Sequence, residues 1–387
     1  MKKQLLWLIV AVAALVSCGG GSPTRPPRGG GESEAVDSIT FKYARLIHIE
    51  QHDGYQLATV GNPWKPGKAL HRYVLIDSSQ PSQKGGDWGE ATVIRIPLKK
   101  SIIFTSVHAA LIGQLHAEKQ VAGVADLKYM KVPYIREGIA NGQLTDCGDG
   151  MAPLVEKIID AEADGILLSP FENSGGYGRL EDIHIPLIEC AEYMEQTPLA
   201  RAEWMRFYGM LYGCQAEADS LFAVVDSSYH ALCQLASEAG KGRSVLVDKQ
   251  TGSVWYVPGG QSTIGRMLVD AGADYAFADD VHSGSLSLSF ETVLERAGES
   301  DVWLFRYDNP HPITLPQLLA EQPGYRQLRP VRETGNVYGC NVSTSMFYEE
   351  TPFRPDLLLQ DFIQILHPDI PNLPPLRYYE RCKTEDG

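Results

Sequence analysis

The chain has 387 residues, 44% of them hydrophobic and 21% charged, and a formal net charge of -14. An acidic balance of this size, without clustered Lys and Arg, excludes a nucleic-acid partner, because neutralising phosphates requires grouped cations. The length exceeds what one hydrophobic core usually serves and predicts two lobes.

In chain order, Lys2 and Lys3 form a positive start, Leu5 to Val16 an apolar run, and Leu15-Val16-Ser17-Cys18 a small-residue ending. The run is too short to span a bilayer as a helix but suits a secretory signal. Cys18, followed by Gly19, Gly20 and Gly21, resembles the lipobox of bacterial lipoproteins. That resemblance implies removal of residues 1–17 and lipidation of Cys18. The other reading is an ordinary signal with an incidental cysteine, and either takes the mature chain out of the cytoplasm. Residues 18–35 are rich in Gly, Pro, Ser and Arg, so they bury no core and read as a flexible tether. No later segment is apolar enough to span a membrane.

Residues 36–100 read as an antiparallel β layer. The β-rich runs are Ile39, Phe41 and Tyr43, then Leu46 to Ile49, Tyr55 to Val60, Tyr73 to Ile76 and Thr92 to Ile96, with Gly- and Pro-rich turns between them. From 101 to 199 short apolar strands alternate with helical periods, the pattern of βαβ units. Strands are expected at Ser101 to Thr105, Val121 to Val124, Gly165 to Leu168 and around Leu187, with helices at His108 to Glu118 and Leu154 to Ala161. Residues 200–240 contain no Pro, and Trp204, Phe207, Tyr208 and Leu211 share one helical face. A long connecting helix is expected there, with two helices joined at a turn near Gly213 as the alternative. A second βα set fills 241–375, ending in a helix from Asp356 to Leu366.

The fold class expected is α/β: two Rossmann-like lobes linked by a long rigid α-helix, with an N-terminal antiparallel β layer. Six cysteines remain beyond Cys18, and their pairing is not readable from spacing. On a continuous helix Cys214 and Cys233 would stand about 28 Å apart, too far for a disulfide.

Several segments, in order, carry a family resemblance. Glu156-Lys157-Ile158-Ile159 runs on to Ala163-Asp164-Gly165-Ile166-Leu167-Leu168, and Thr197-Pro198-Leu199-Ala200-Arg201 opens the connecting helix. Ser289-Phe290-Glu291-Thr292-Val293-Leu294 leads to Asp301-Val302-Trp303-Leu304, and Arg354-Pro355-Asp356 leads to His367-Pro368. Over about residues 93–370 this resembles the periplasmic binding proteins that deliver siderophores, haem and cobalamin to ABC importers. The resemblance implies a lipid-anchored protein of the periplasm or cell envelope, with a permease and its ATPase as partners. It also implies an iron chelate, haem or cobalamin as ligand, and no resident cofactor. Glu156 and Glu291 are similarly placed to the glutamates that dock on permease arginines in that family; each also suits the positive end of its own helix.

Ligands of open α/β sheets bind where loops and helix starts meet the carboxyl ends of the strands. His108, after the first strand, is either a ligand contact or a helix-start histidine bonded to its own turn. Tyr129 and Phe171 follow the next strands and could stack on a flat macrocycle, with Glu172 beside them. In the second lobe Trp255 and Tyr256 lead into Gly260 and Ser262. Either the glycine lets the backbone approach a ligand, or this is an ordinary βα turn with a serine cap. Tyr307 follows a later strand, and the polar stretch Asp279 to Ser287 suits a cleft loop. The reading that follows is ligand capture without chemistry. Its rivals are a chelatase or metal-cofactor enzyme on the same bilobed fold, and a surface adhesin or scaffold. No nucleophile elbow, Walker loop or dinucleotide fingerprint is present.

Overall fold

Two parallel sheets carry the α/β part of this computed structural model, which describes residues 37–79, 88–172 and 176–384. The signal segment, Cys18 and the tether lie outside the described residues. In the first lobe the order across the sheet is Leu187–Glu189, Gly165–Leu168, Ser101–Ile103, Val121–Val124, Thr145–Asp146, all parallel. In the second it is Asp274–Tyr275, Ser244–Val247, Val302–Tyr307 and Val337–Asn341, parallel, with Glu380–Arg381 antiparallel at the edge. The central strands are apolar runs covered on both faces: Gly165–Leu168 and Ser101–Ile103 are buried throughout.

The N-terminal layer is a five-stranded sheet of Asp37–Ile39, Ile47–His52, Tyr55–Gly61, Ala69–Asp77 and Thr92–Ile96. Its first four strands pair antiparallel, and the fifth joins the fourth in parallel. The expected run through Phe41 and Tyr43 is not a strand, because its amides are engaged elsewhere. Lys42, Tyr43 and Ala44 donate their backbone N–H to the Glu203 carboxylate at 2.7, 2.7 and 2.9 Å. Arg45 and Leu46 donate theirs to Glu195 Oε1 at 2.9 and 2.8 Å. A backbone whose donors are consumed by side chains has none left for a ladder.

The connecting region is three helices, Pro198–Glu203, Met205–Tyr212 and Gln215–Ala239. Thr197 caps the first, accepting from Ala200 N at 3.1 Å. The break falls at Gly213, whose φ of +71° is left-handed and where a Cβ would meet Pro97 at 2.9 Å. The last helix, 25 residues and about 37 Å long, buries Ala218, Phe222, Val225 and Tyr229 along one face. The closing helix Pro355–Leu366 packs against it. Residues 35–387 form one compact unit. Its core runs from Ile49, Val60 and Tyr73 of the β layer through Trp204 and Phe207 into Trp303 and Phe362. Cys147, Cys190, Cys214, Cys233, Cys340 and Cys382 are free thiols.

Candidate functional site

Although the core is continuous, a crevice remains at the strand tips. A cavity of about 510 Å³ is lined from the first lobe by Tyr193 to Thr197, which follow the strand Leu187–Glu189. Gln261, Thr263 and Ser283 line it from the second lobe, and Tyr43, Arg45, Leu46 and Pro63 from the β layer. A narrower cavity of about 220 Å³ shares Thr263 with it, and Pro198 and Arg201 line this one where Thr197 and Ala200 line the first. Its walls are Val107, Pro198 and Arg201 on one side and Arg306, Phe347 and Tyr348 on the other. Val107 follows the strand Ser101–Ile103, Arg306 is near the end of Val302–Tyr307, and Phe347 follows Val337–Asn341. Carboxyl ends of both sheets therefore converge on one crevice, as open α/β sheets require.

Three guanidinium groups line these cavities. Arg306 makes a bidentate pair with Asp248, at 2.9 and 2.6 Å, and lies over the rings of Phe347 and Tyr348. Burial works against its charge, but the Asp248 pair outweighs that and raises its pKa. The side chains of Arg201 and Arg45 have no hydrogen-bond or ion-pair partner among the described residues, and Arg201 Nε is fully enclosed. Burial pulls the Arg201 pKa down, opposed by the field of Glu192. The one lining carboxylate is Glu195, whose Oε1 accepts from Trp204 Nε1 at 2.9 Å as well as from the two amides. Burial, opposed by those donors, raises its pKa.

The structure separates the residues expected at the site. His108 is 0% exposed and lines neither cavity, its Nε2 3.5 Å from Glu192 Oε1 and its ring 5.5 Å from Tyr208. Its neighbour Val107 reaches the cavity instead. Trp255 is also 0% exposed, donates to Val247 O at 3.1 Å and packs on Phe290, Trp303 and Tyr325, so it is core. Tyr256 points the other way along the same strand and is exposed. A Cβ on Gly260 would lie 2.1 Å from Ala278 O: the close approach is to the chain's own loop. Ser262 accepts from Gly265 N at 3.0 Å and donates to Gly259 O, a helix cap. Its neighbours Gln261 and Thr263 face the cavity.

Tyr307 accepts from Ile313 N through its hydroxyl and lines neither cavity. Tyr129, 63% exposed, lies against Lys128 on the surface. Phe171 lines a separate groove with Met151 and Tyr177, and Glu172 is exposed beside it. Glu156 and Glu291 are exposed in the first turns of Val155–Asp160 and Phe290–Ala297, one on each lobe. Glu156 pairs with Arg179 at 2.7 Å, and that hydrogen bond first of all lowers its pKa.

Sequence reasoning missed Arg45, Arg201 and Arg306. For Arg201 a signal existed: a cation in an otherwise apolar helix start, Pro198-Leu199-Ala200-Arg201-Ala202. For Arg45 none did, since the strand pattern of its neighbours concealed the turn.

Comparison with known proteins agrees with this architecture. An uncharacterized lipoprotein of Methanocaldococcus jannaschii is 25% identical over 359 residues, covering 87% of this chain and 84% of its own length. A periplasmic heme binding protein from Pseudomonas aeruginosa shares the fold at a TM-score of 0.57 and 14% identity, over 75% of this chain and 99% of that one. A Fe3+-hydroxamate transport protein from Saccharomonospora viridis does so at 0.51 and 22%, over 70% and 92%. The family model for periplasmic binding proteins matches residues 103–342, more than half of the chain. With most strands of both sheets and the helices that join them inside that match, the chain belongs to the periplasmic binding protein family, the substrate-binding components of ABC transporters.

Proposed function

We propose that the chain captures an iron complex (siderophore or haem) or cobalamin in the crevice and delivers it to a membrane permease driven by its ATPase. The observation that carries this is the pair of adjoining cavities at the carboxyl ends of both sheets. The larger, about 510 Å³, falls in the range of small-molecule sites, about 300–1,000 Å³, and the narrower adds about 220 Å³ to it. Their lining favours a chelate over a bare cation: it offers guanidinium, amide and hydroxyl groups and a single carboxylate already engaged. Among the described residues no three His, Cys, Asp or Glu side chains gather as a metal site. Family membership and the lipoprotein relative support a place in the cell envelope. Cys18 would hold the chain to the membrane by its lipid and raise its local concentration near the permease. Glu156 and Glu291 would register one lobe each on the permease.

Capture without catalysis fits the buried state of the His108–Glu192 pair. A chelatase would need such a pair in contact with its porphyrin, and this one has its side chains closed off from the cavities. Native mass spectrometry and an absorption spectrum of protein purified from its own host test the proposal. A Soret band, a corrinoid spectrum or a ferric-catecholate band, removed by denaturation, would support it. Protein that is isolated empty and binds none of these compounds in titration refutes it, and turnover of free porphyrin plus metal would favour the enzyme.

A further inference from the structure

The crevice has a third wall that neither lobe supplies. Residues 42–46 form a bent strap from which Tyr43, Arg45 and Leu46 line it, and five consecutive backbone amides of that strap are held by two carboxylates from the first lobe and the connecting helices. Glu203 is 1% exposed and Glu195 5%, so the anchoring groups lie inside the protein while the strap lies at its edge. Side-chain bonds fix the strap further: Tyr43 Oη donates to Asp226 at 2.6 Å, Lys42 pairs with the same carboxylate at 3.0 Å, and Arg206 holds Thr40 O at 2.9 Å. Within this fixed segment Arg45 lines the larger cavity, and its guanidinium has no partner among the described residues.

The neighbouring cations of the strap and its anchor, Lys42 and Arg206, are both paired. Arg201, in the adjoining cavity, is the second cavity-lining guanidinium without a hydrogen-bond or ion-pair partner among the described residues. The two approach the crevice from different elements, one from the β layer and one from the connecting helices. Such a fork offers parallel N–H donors to carboxylate or catecholate oxygens, and a walled cleft strengthens its field relative to open surface.

We propose that the β layer is part of the binding site: its clamped strap presents Arg45 as a specificity residue, which with Arg201 selects chelates carrying net negative charge over neutral and cationic ones. This rests on the ligand-capture reading above. Negative charge on the ligand replaces the water lost by the guanidinium groups, whereas a cationic complex meets two like charges that only the engaged Glu195 and the field of Glu192 oppose.

The test is a fluorescence titration of the purified chain with four probes: haemin, a ferric tris-catecholate, a ferric trihydroxamate of net positive charge, and cobalamin. Wild type should bind haemin or the tris-catecholate at least about tenfold more tightly than the cationic hydroxamate. Arg45→Glu should weaken the anionic probe by about tenfold or more, and Arg45→Gln by less, with an effect that shrinks as salt is raised. Both variants should melt near wild type, because the clamp uses the amide of residue 45 and not its side chain. Arg45→Gln keeps the test open should the charge reversal disturb folding. Unchanged affinity in a folded Arg45 variant, or a wild-type preference for the cationic or neutral probe, overturns this inference and leaves the capture reading standing. Failure of wild type to bind all four overturns both.

Discussion

Replacing Glu203 with alanine removes the acceptor for three consecutive amides in one step. The carboxylate is 1% exposed, and it receives Lys42 N, Tyr43 N and Ala44 N within 2.9 Å. A buried donor left without a partner costs about 1–3 kcal/mol. The Ala44 amide is fully buried and the other two partly so, which lets water recover some of their loss. The sum is about 3–5 kcal/mol, a large share of a typical stability of about 5–15 kcal/mol. Urea denaturation followed by circular dichroism measures the global change, and hydrogen exchange localises it. Amides 42–44 should lose protection first, since their exchange will no longer require the core to open. Glu203→Gln retains one acceptor oxygen and should lose less. A fall under about 1 kcal/mol, with protection of these amides unchanged, would show that the carboxylate does not organise the strap and refute the reasoning.

Lys131 bridges the lobes, bonding Val342 O and Ser345 O and approaching Glu349 Oε1 at 3.6 Å; Lys131→Met should cost about 3 kcal/mol by leaving Glu349 buried and unpaired, read as a lower urea midpoint. Burial raises the Glu195 pKa above its ordinary 4.5, so the folded chain holds that proton more tightly than the unfolded one. Its stabilising contribution is present below the unfolded value and lost as pH rises through the folded one. Measured from about pH 4 to about pH 7, the stability of wild type minus that of Glu195→Gln should therefore fall; a rise would contradict the assignment. Trp255→Ala should cost about 3–5 kcal/mol while Trp255→Phe retains ligand affinity, as befits a core residue; a Phe variant that folds but fails to bind would return Trp255 to the site. Reversing Glu156 and Glu291 to Arg should abolish uptake in cells with ligand affinity unchanged, and normal uptake would remove their docking role.

Local periodicity determined much of this protein in the sequence itself. Alternating apolar runs and helical faces placed the two βα sets and the closing helix near their observed bounds, whereas the single long helix expected over 200–240 is three helices, broken after Glu203 and at Gly213. At Ser262, expected as a ligand contact, the alternative of a helix cap was legible, because a cap involves residues two or three apart. The exposed acids at the two helix starts were likewise legible from their neighbours. Tertiary structure alone decided which groups face the crevice. His108 and Trp255 occupy the right turn and strand, yet they point inward, and one position of rotation along a helix or strand exchanges core for cleft. The strap shows the same limit more strongly. Its residues alternate like a strand, but the amide of Lys42 finds its acceptor 161 residues away, at Glu203. A hydrogen-bond partner that distant leaves no trace in local pattern, so neither the end of the first strand at Ile39 nor the exposure of Arg45 to the cavity could be read before the chain was folded.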